Sequence, residues 1–270
     1  MTTKTVLKSL LRSRISKDGR MSVPNHKLQG ILPRFELEKD GLVLRLILPR
    51  EKEKVRQLIL NNFYENAPIP KALKLRQTWP KFAFLEDELN LMMDSGASFV
   101  SVDLKSGKDA KIIGANVNTL WKVDENHEAF QVDPLLWLNT AQEIALEETN
   151  DILYQTVIWR DFQYQLIYHL CQTSAIQSNE KFILYGGLGY TEPHVRNRGL
   201  VSFFRKAMID YSKSPLQIAP MFVGTIPGFR EATERKFPDS FEILADVAYK
   251  TINLKAFQKL NDGMILMRTM

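Results

Sequence analysis

Between Tyr190 and Val201 the chain reads Tyr-Thr-Glu-Pro-His-Val-Arg-Asn-Arg-Gly-Leu-Val, a turn rich in backbone N–H groups and arginine. Such a turn suits a diphosphate. The unpaired amides of a helix's first turn and the positive end of its dipole attract anions, and Gly199 lets the backbone come close to one. Behind it Leu200, Phe203, Phe204, Ala207, Met208 and Tyr211 recur at helical spacing, while Arg205, Lys206 and Asp210 take the other face. The helix therefore packs on a core with its N-terminus outward. An ordinary strand-turn-helix with solvated arginines fits the same residues, and a short glycine motif does not separate the two readings.

Other chemistries find less support. His26, His127, His169 and His194 are scattered, with no pair on one helix face, and Cys171 is the single cysteine, so no metal site is expected and no internal disulfide is available. Cys171 falls in an apolar pattern with Leu166, Ile167 and Leu170, which reads as packing. Gly186-Gly187-Leu188-Gly189 does not open directly into a helix as a dinucleotide loop must.

The elements that position the turn follow from periodicity. Phe35 to Ile47 reads as strand, turn at Gly41 and strand; Glu51 to Phe63 as a helix; Phe84 to Met93 as a second helix closed by Ser95-Gly96. Phe99 to Leu104 and Ile112 to Val117 form a hairpin, Asp124 to Asn150 an acidic insertion with a short helix, and Ile152 to about Cys171 a long helix. The second half alternates: a strand at Phe182 to Tyr185 interrupted by Gly186-Gly187, the turn and its helix, a strand at Leu216 to Val223, a short helix at Phe229 to Lys236, a strand at Phe241 to Ala248, and an edge strand at Ile265 to Met267. Strand, helix, strand implies a parallel pair, and the whole implies an α/β (α+β) mixed sheet with helices on both faces. Residues 1–25 are expected as a loosely ordered leader and 26–270 as one domain carrying a helical insertion at about 124–175.

A chain of 270 residues with 44% hydrophobic content can bury a full core. A net charge of +5 permits an acidic partner without demanding nucleic acid, and a phosphorylated co-substrate explains it equally well. No run approaches the roughly 20 apolar residues that span a bilayer, so a soluble, cytoplasmic protein is expected.

With this order of elements laid beside the turn, the chain resembles the GNAT superfamily of acyl-CoA-dependent N-acetyltransferases, and within it the arylalkylamine type of insects and nematodes. The resemblance runs from roughly Leu32 to the C-terminus. It rests on Phe63-Tyr64-Glu65-Asn66-Ala67-Pro68-Ile69, similar to the family's Phe-Phe-x-Asp-Glu-Pro-Leu; on Arg196 and Gly199 of its Arg/Gln-x-x-Gly-x-Gly/Ala signature; and on Phe241-Glu242-Ile243 through Tyr249. It implies two strands that splay to admit pantetheine, with the backbone of Tyr190 and Thr191 meeting that arm. It also implies that Arg196, Asn197, Arg198, Gly199, Leu200 and Val201 meet the diphosphate of acetyl-CoA or a longer acyl-CoA. The implied reaction is attack of a primary amine, arylalkylamine-like, on the thioester.

The chain departs from the family at two points. Val201 stands where the family has Gly or Ala, and the family's catalytic glutamate falls on Ala67, its aspartate on Asn66. A positioned base contributes about 100- to 10,000-fold to such a reaction. Glu65 is the nearest substitute, although two residues along a helix rotate a side chain by about 200°. His194 could take a proton but lies on the phosphate side of the turn. Two readings follow: an N-acyltransferase with Glu65 as candidate base, or a noncatalytic acyl-CoA-binding or interaction protein on the same scaffold.

Overall fold

The computed structural model describes residues 36–74, 83–106, 111–123, 152–196, 198–213, 216–224, 229–252 and 254–270. The expected leader, the whole acidic insertion from 124 to 150, and Asn197 lie outside the described residues.

Eight strands form one mixed sheet, in the order β1-β2-β3-β4-β5-β6-β8-β7. They are β1 (Glu36–Lys39), β2 (Leu42–Leu46), β3 (Phe99–Asp103), β4 (Lys111–Lys122), β5 (Phe182–Thr191), β6 (Ile218–Gly224), β7 (Phe241–Ala248) and β8 (Gly263–Thr269). The first hairpin turns at Asp40 and Gly41, both at positive φ (54° and 76°), the backbone that makes a two-residue turn match the strand twist. All neighbours are antiparallel except β5 and β6, which run parallel across the connection through the turn and its helix.

The helices are α1 (Lys52–Leu58), α2 (Pro68–Ala72), α3 (Ala83–Asp94), α4 (Ile152–Gln177), α5 (Leu200–Ser212) and α6 (Phe229–Lys236). They divide between the two faces. On one, Val55, Ile59, Leu89, Met92, Ile158, Trp159 and Ile167 pack against Val100, Ala115, Val117, Ile183 and Met221 of the sheet. On the other, Leu200, Phe203, Phe204, Ala207 and Met208 of α5 pack against Leu44, Phe99, Ile113, Leu184 and Phe222. α4 is held at its start by Trp159, whose ring meets Phe257 edge-on at 4.8 Å and Tyr249 at 6.0 Å.

Three readings are corrected. The helix expected from Glu51 to Phe63 is α1 followed by a π turn (Ile59–Phe63) and a further turn at Tyr64–Asn66. The strand expected to break at Gly186-Gly187 continues to Thr191, because the glycines accommodate a bulge. The C-terminal strand is not an edge: β8 lies between β6 and β7, in keeping with its almost wholly buried residues, and β7, none of whose residues is buried, takes the edge.

Candidate active site

β5 and β6 pair in register from Phe182 with Ile218 to Gly186 with Phe222, and the pairing stops there. β5 continues for five residues, Gly187 to Thr191, still paired with β4 through Thr191 opposite Gly114. β6 continues to Gly224, still paired with β8 through Ile265. Each strand thus stays in the sheet on its outer side while a gap opens between them. Backbone groups on the inner edges are left for a ligand to complete, as an added strand would.

The groups that face the gap follow from strand alternation. The Glu192 N–H donates to Ile113 O (2.9 Å), and Tyr190 O lies 3.1 Å from where a Cβ on Gly114 would sit, so both residues aim their backbone at β4. Gly189 and Thr191 therefore aim theirs at the gap. Gly187, at its inner end, is the bulge: Val117 faces Leu188 and Asn118 faces Gly186, leaving Gly187 unopposed. A Cβ there would lie 2.3 Å from Met92 Cε and 3.3 Å from Tyr185 Cε1, so a bare backbone is what fits.

Beyond β5 the chain turns through Pro193–Val195, with Val195 buried as its anchor. The Arg196 and Arg198 N–H groups are engaged within the turn, bonding to Pro193 O and Val195 O. Gly199 takes φ +79°, a conformation costly for residues with a Cβ. Phe203 N–H is the first to close a helical bond, to Gly199 O at 2.9 Å. The amides of Leu200, Val201 and Ser202 have no hydrogen-bond partner among the described residues, so the N-terminus of α5 presents free donors. Leu200 turns its side chain into the core, whereas Val201 is 47% exposed and covers nothing.

Cations surround this turn. Arg196 Nε donates to Thr191 O (3.3 Å), Arg198 lies 3.7 Å from Asp103, and Lys236 Nζ, reaching over from the end of α6, is 3.9 Å from the Cβ position of Gly199. His194 does not face the helix start; its Nδ1 is 3.1 Å from the Glu192 carboxylate, which also receives Lys111 (2.9 Å). Burial and that carboxylate push the Tyr190 hydroxyl up, against the weaker pull of Arg196 and Lys111, so the phenol stays a donor at neutral pH.

The structure brings Tyr190, Thr191, Arg196, Arg198, Gly199, Leu200 and Val201 together at the mouth of the gap. Glu65 is not among them. It is solvent-exposed on the turn Tyr64–Asn66, downstream of the π turn that packs over β5 on the opposite face from α5. Ala67 is half-buried and extended (ψ 145°) between that turn and α2. Among the described residues no cluster of His, Cys, Asp and Glu could hold a metal ion, and no helix is long and apolar enough to cross a membrane.

Three residues at the gap escaped the reading of the sequence. Asn116 lies over Gly189, its Nδ2 3.6 Å from that residue's Cβ position, with its Oδ1 buried and lacking a hydrogen-bond partner among the described residues. Lys236 is separated from the turn by 37 positions in the chain, so no local pattern could pair them. Arg205, assigned to a solvent face, is 4% exposed and stacks on Phe229, with its Cζ 4.0 Å from the ring centroid. The reason is α6, whose start covers that flank of α5. The run Gly186 to Gly189 was the available signal for the bulge.

No family model and no curated protein matches the sequence. Solved structures do match in fold. Over 87% of this chain and 92% of the other, the putative arylalkylamine N-acetyltransferase 7 of the yellow fever mosquito superposes with a TM-score of 0.59 at 14% identity. Agmatine N-acetyltransferase, in an apo variant, gives 0.59 at 13% identity over 86% and 100%. The C-terminal condensation domain of Ebony, in complex with beta-alanyl-dopamine, gives 0.53 at 16% identity over 85% and 99%. At these identities the match shows the fold: the chain has the GNAT fold.

Proposed function

We propose that the protein is an acyl-CoA-dependent N-acyltransferase acting on a small primary amine. The single observation that carries this reading is the ending of the β5–β6 pairing at Gly186 and Phe222 beside the free amides that open α5. The outer end of β5 leads through the turn at Pro193–Val195 to that N-terminus, the order that a ligand with a thiol-bearing arm and a diphosphate requires. The buried, unpartnered Asn116 Oδ1 supports the same fit, because it is an acceptor that an amide N–H in the gap would satisfy.

In this reading the amides of Leu200 to Ser202, with Arg196 and Lys236, hold the diphosphate. Gly189 and Thr191 pair with the pantetheine amides through backbone, and Tyr190 lines the mouth. The co-substrate supplies an activated acyl thioester. Free backbone N–H groups on the inner edge of β5 are preorganised to donate to the acyl oxygen as it gains charge. The amine approaches from the face bearing α1 and α2, where the aromatic side chains of Tyr185 and Trp121 stack at 5.0 Å. It arrives protonated at neutral pH, and Glu65, the only carboxylate of segment 63–73, accepts its proton through water.

The second reading, a noncatalytic acyl-CoA-binding protein, is favoured by one observation: Ala67 offers no carboxylate, and Glu65 stands exposed. Purified protein incubated with acetyl-CoA and a panel of arylalkylamines and diamines, with free thiol followed, separates the two. Turnover that Arg196→Glu abolishes supports the enzyme. CoA binding without thiol release for any amine leaves the second reading, and absence of CoA binding removes both.

A further inference from the structure

We propose that Arg205 is a buried anion-binding residue that, together with Lys236, meets the phosphates of the co-substrate from the α6 side of the α5 N-terminus. The inference rests on the acyl-CoA reading and adds to it a binding residue on the second turn of the helix.

Arg205 is 4% exposed, and its guanidinium makes no hydrogen bond or ion pair with any described residue. Its one described contact is the face of Phe229, 4.0 Å from the ring centroid. A buried arginine ordinarily holds a carboxylate, because desolvating a guanidinium is costly unless charge or acceptors compensate. Here stacking supplies part of that compensation, and no described residue accepts from its five N–H donors. Burial lowers its pKa only to about 10, so it remains a cation at neutral pH.

Its position makes an anion the missing partner. Phe229 packs on Gly224, the end of β6 on the far side of the gap. Long side chains on a helix lean toward its N-terminus, and Arg205 lies one turn after Val201 on the same stripe, so it leans toward the three free amides. From the other end of α6, Lys236 brings its ammonium to Gly199. The two cations thus stand at the two ends of α6, Lys236 beside the helix start and Arg205 one turn along α5, and no acidic residue among those described pairs with either. A phosphate there gains direct charge-assisted donors, offsetting the bulk that Val201 puts beside the amides.

The full chain is titrated calorimetrically with CoA and, separately, with inorganic pyrophosphate, for wild type, Arg205→Met, Arg205→Lys and Lys236→Met; thermal melts without ligand accompany each. Expected are a tenfold or greater loss of affinity for both probes in R205M, a smaller loss in R205K and in the exposed-site variant K236M, and a ligand-free melting temperature for R205M equal to or above wild type. Unchanged CoA and pyrophosphate affinity in R205M overturns the proposal. So does a loss confined to CoA, which would put Arg205 on the pantetheine arm, or a loss of affinity accompanied by a lowered melting temperature and not recovered in R205K. Wild type that binds pyrophosphate in an Arg205-dependent way but not CoA would end the acyl-CoA reading and leave the anion site standing.

Discussion

A Cβ on Gly224 would lie 2.1 Å from Cδ1 of Phe229, so the ring fills the space that any side chain at the end of β6 would need. The same ring carries Arg205, whose Cζ lies 4.0 Å from its centroid. Strand end, ring and guanidinium therefore form one packed stack. Gly224→Ala must displace the ring, an overpacking cost of about 1–3 kcal/mol. A chain of this size loses roughly 2–4 °C of melting temperature per kcal/mol. The variant should melt several degrees lower by calorimetry and bind CoA more weakly; an unchanged melting temperature would show that the ring moves at no cost.

Gly199 and Gly189 make a contrasting pair. Gly199 adopts φ +79°, where an alanine costs about 1–2 kcal/mol, whereas Gly189 has ordinary φ and its Cβ would meet only Asn116 Nδ2 at 3.6 Å. Chemical denaturation should therefore give Gly199→Ala a lower midpoint with an unchanged slope, and leave Gly189→Ala within about 0.5 kcal/mol of wild type. Equal losses in the two would remove the argument from backbone conformation.

The local signals and the distant ones divide cleanly along this chain. Element types from Leu42 to Ala248 were legible wherever periodicity and turn residues agreed: the apolar stripe of α5 predicts both its helix and its buried face, and Gly96 at φ +72° ends α3 where Ser95-Gly96 stands in the sequence. The parallel pair around the turn was legible too, because a strand, helix and strand leave few alternatives. What a helical wheel could not supply was the neighbour on its flank. Arg205 looks solvated beside Lys206 and Asp210, and becomes buried only because α6, 24 residues later, lies across it. The place of β8 was hidden for the same reason: strand order is set by nonlocal pairing, and three apolar residues near a terminus suit an edge or an interior strand alike. Glycine at 186 and 187 signalled an irregularity but not its kind, since a break and a bulge use the same residue.

The hairpin before α1 carries a titration that stability measurements can read. Arg45 holds Glu51 with two bonds of 2.7 Å, and Leu48 N–H donates to the same carboxylate at 3.0 Å. Burial alone would raise the Glu51 carboxyl, but the guanidinium and the amide outweigh it and hold it below the usual carboxylate range. A lowered folded-state pKa means that the stabilisation is fully present above the unfolded value, about 4.3, and is lost as pH falls through the lower folded value. Glu51→Gln should therefore cost about 1 kcal/mol at pH 7, a figure already reduced for partial exposure, and progressively less as the pH is lowered below 4. A difference between wild type and variant that persisted undiminished at pH 2 would locate the effect in packing instead of charge.

Placing a carboxylate at Ala67 tests whether acyl transfer, in the proposed reading, is limited by a missing base. Ala67 is half-buried at an extended position between two short helical turns, so a longer side chain can leave the core without disturbing Ile69 and Pro70 behind it. If proton removal from the amine limits turnover, Ala67→Glu should raise kcat by about 10- to 100-fold at neutral pH, within the range that a positioned base contributes, with little change in KM for acetyl-CoA. Glu65→Gln should lower kcat of the wild type. Thiol release measured for the three proteins across pH 5–9 distinguishes the cases. A gain on Ala67→Glu together with silence in wild type would mean a scaffold poised for catalysis that lacks only its base. Silence in all three, with CoA still bound, would mean that the gap between β5 and β6 holds a thioester for recognition and not for transfer.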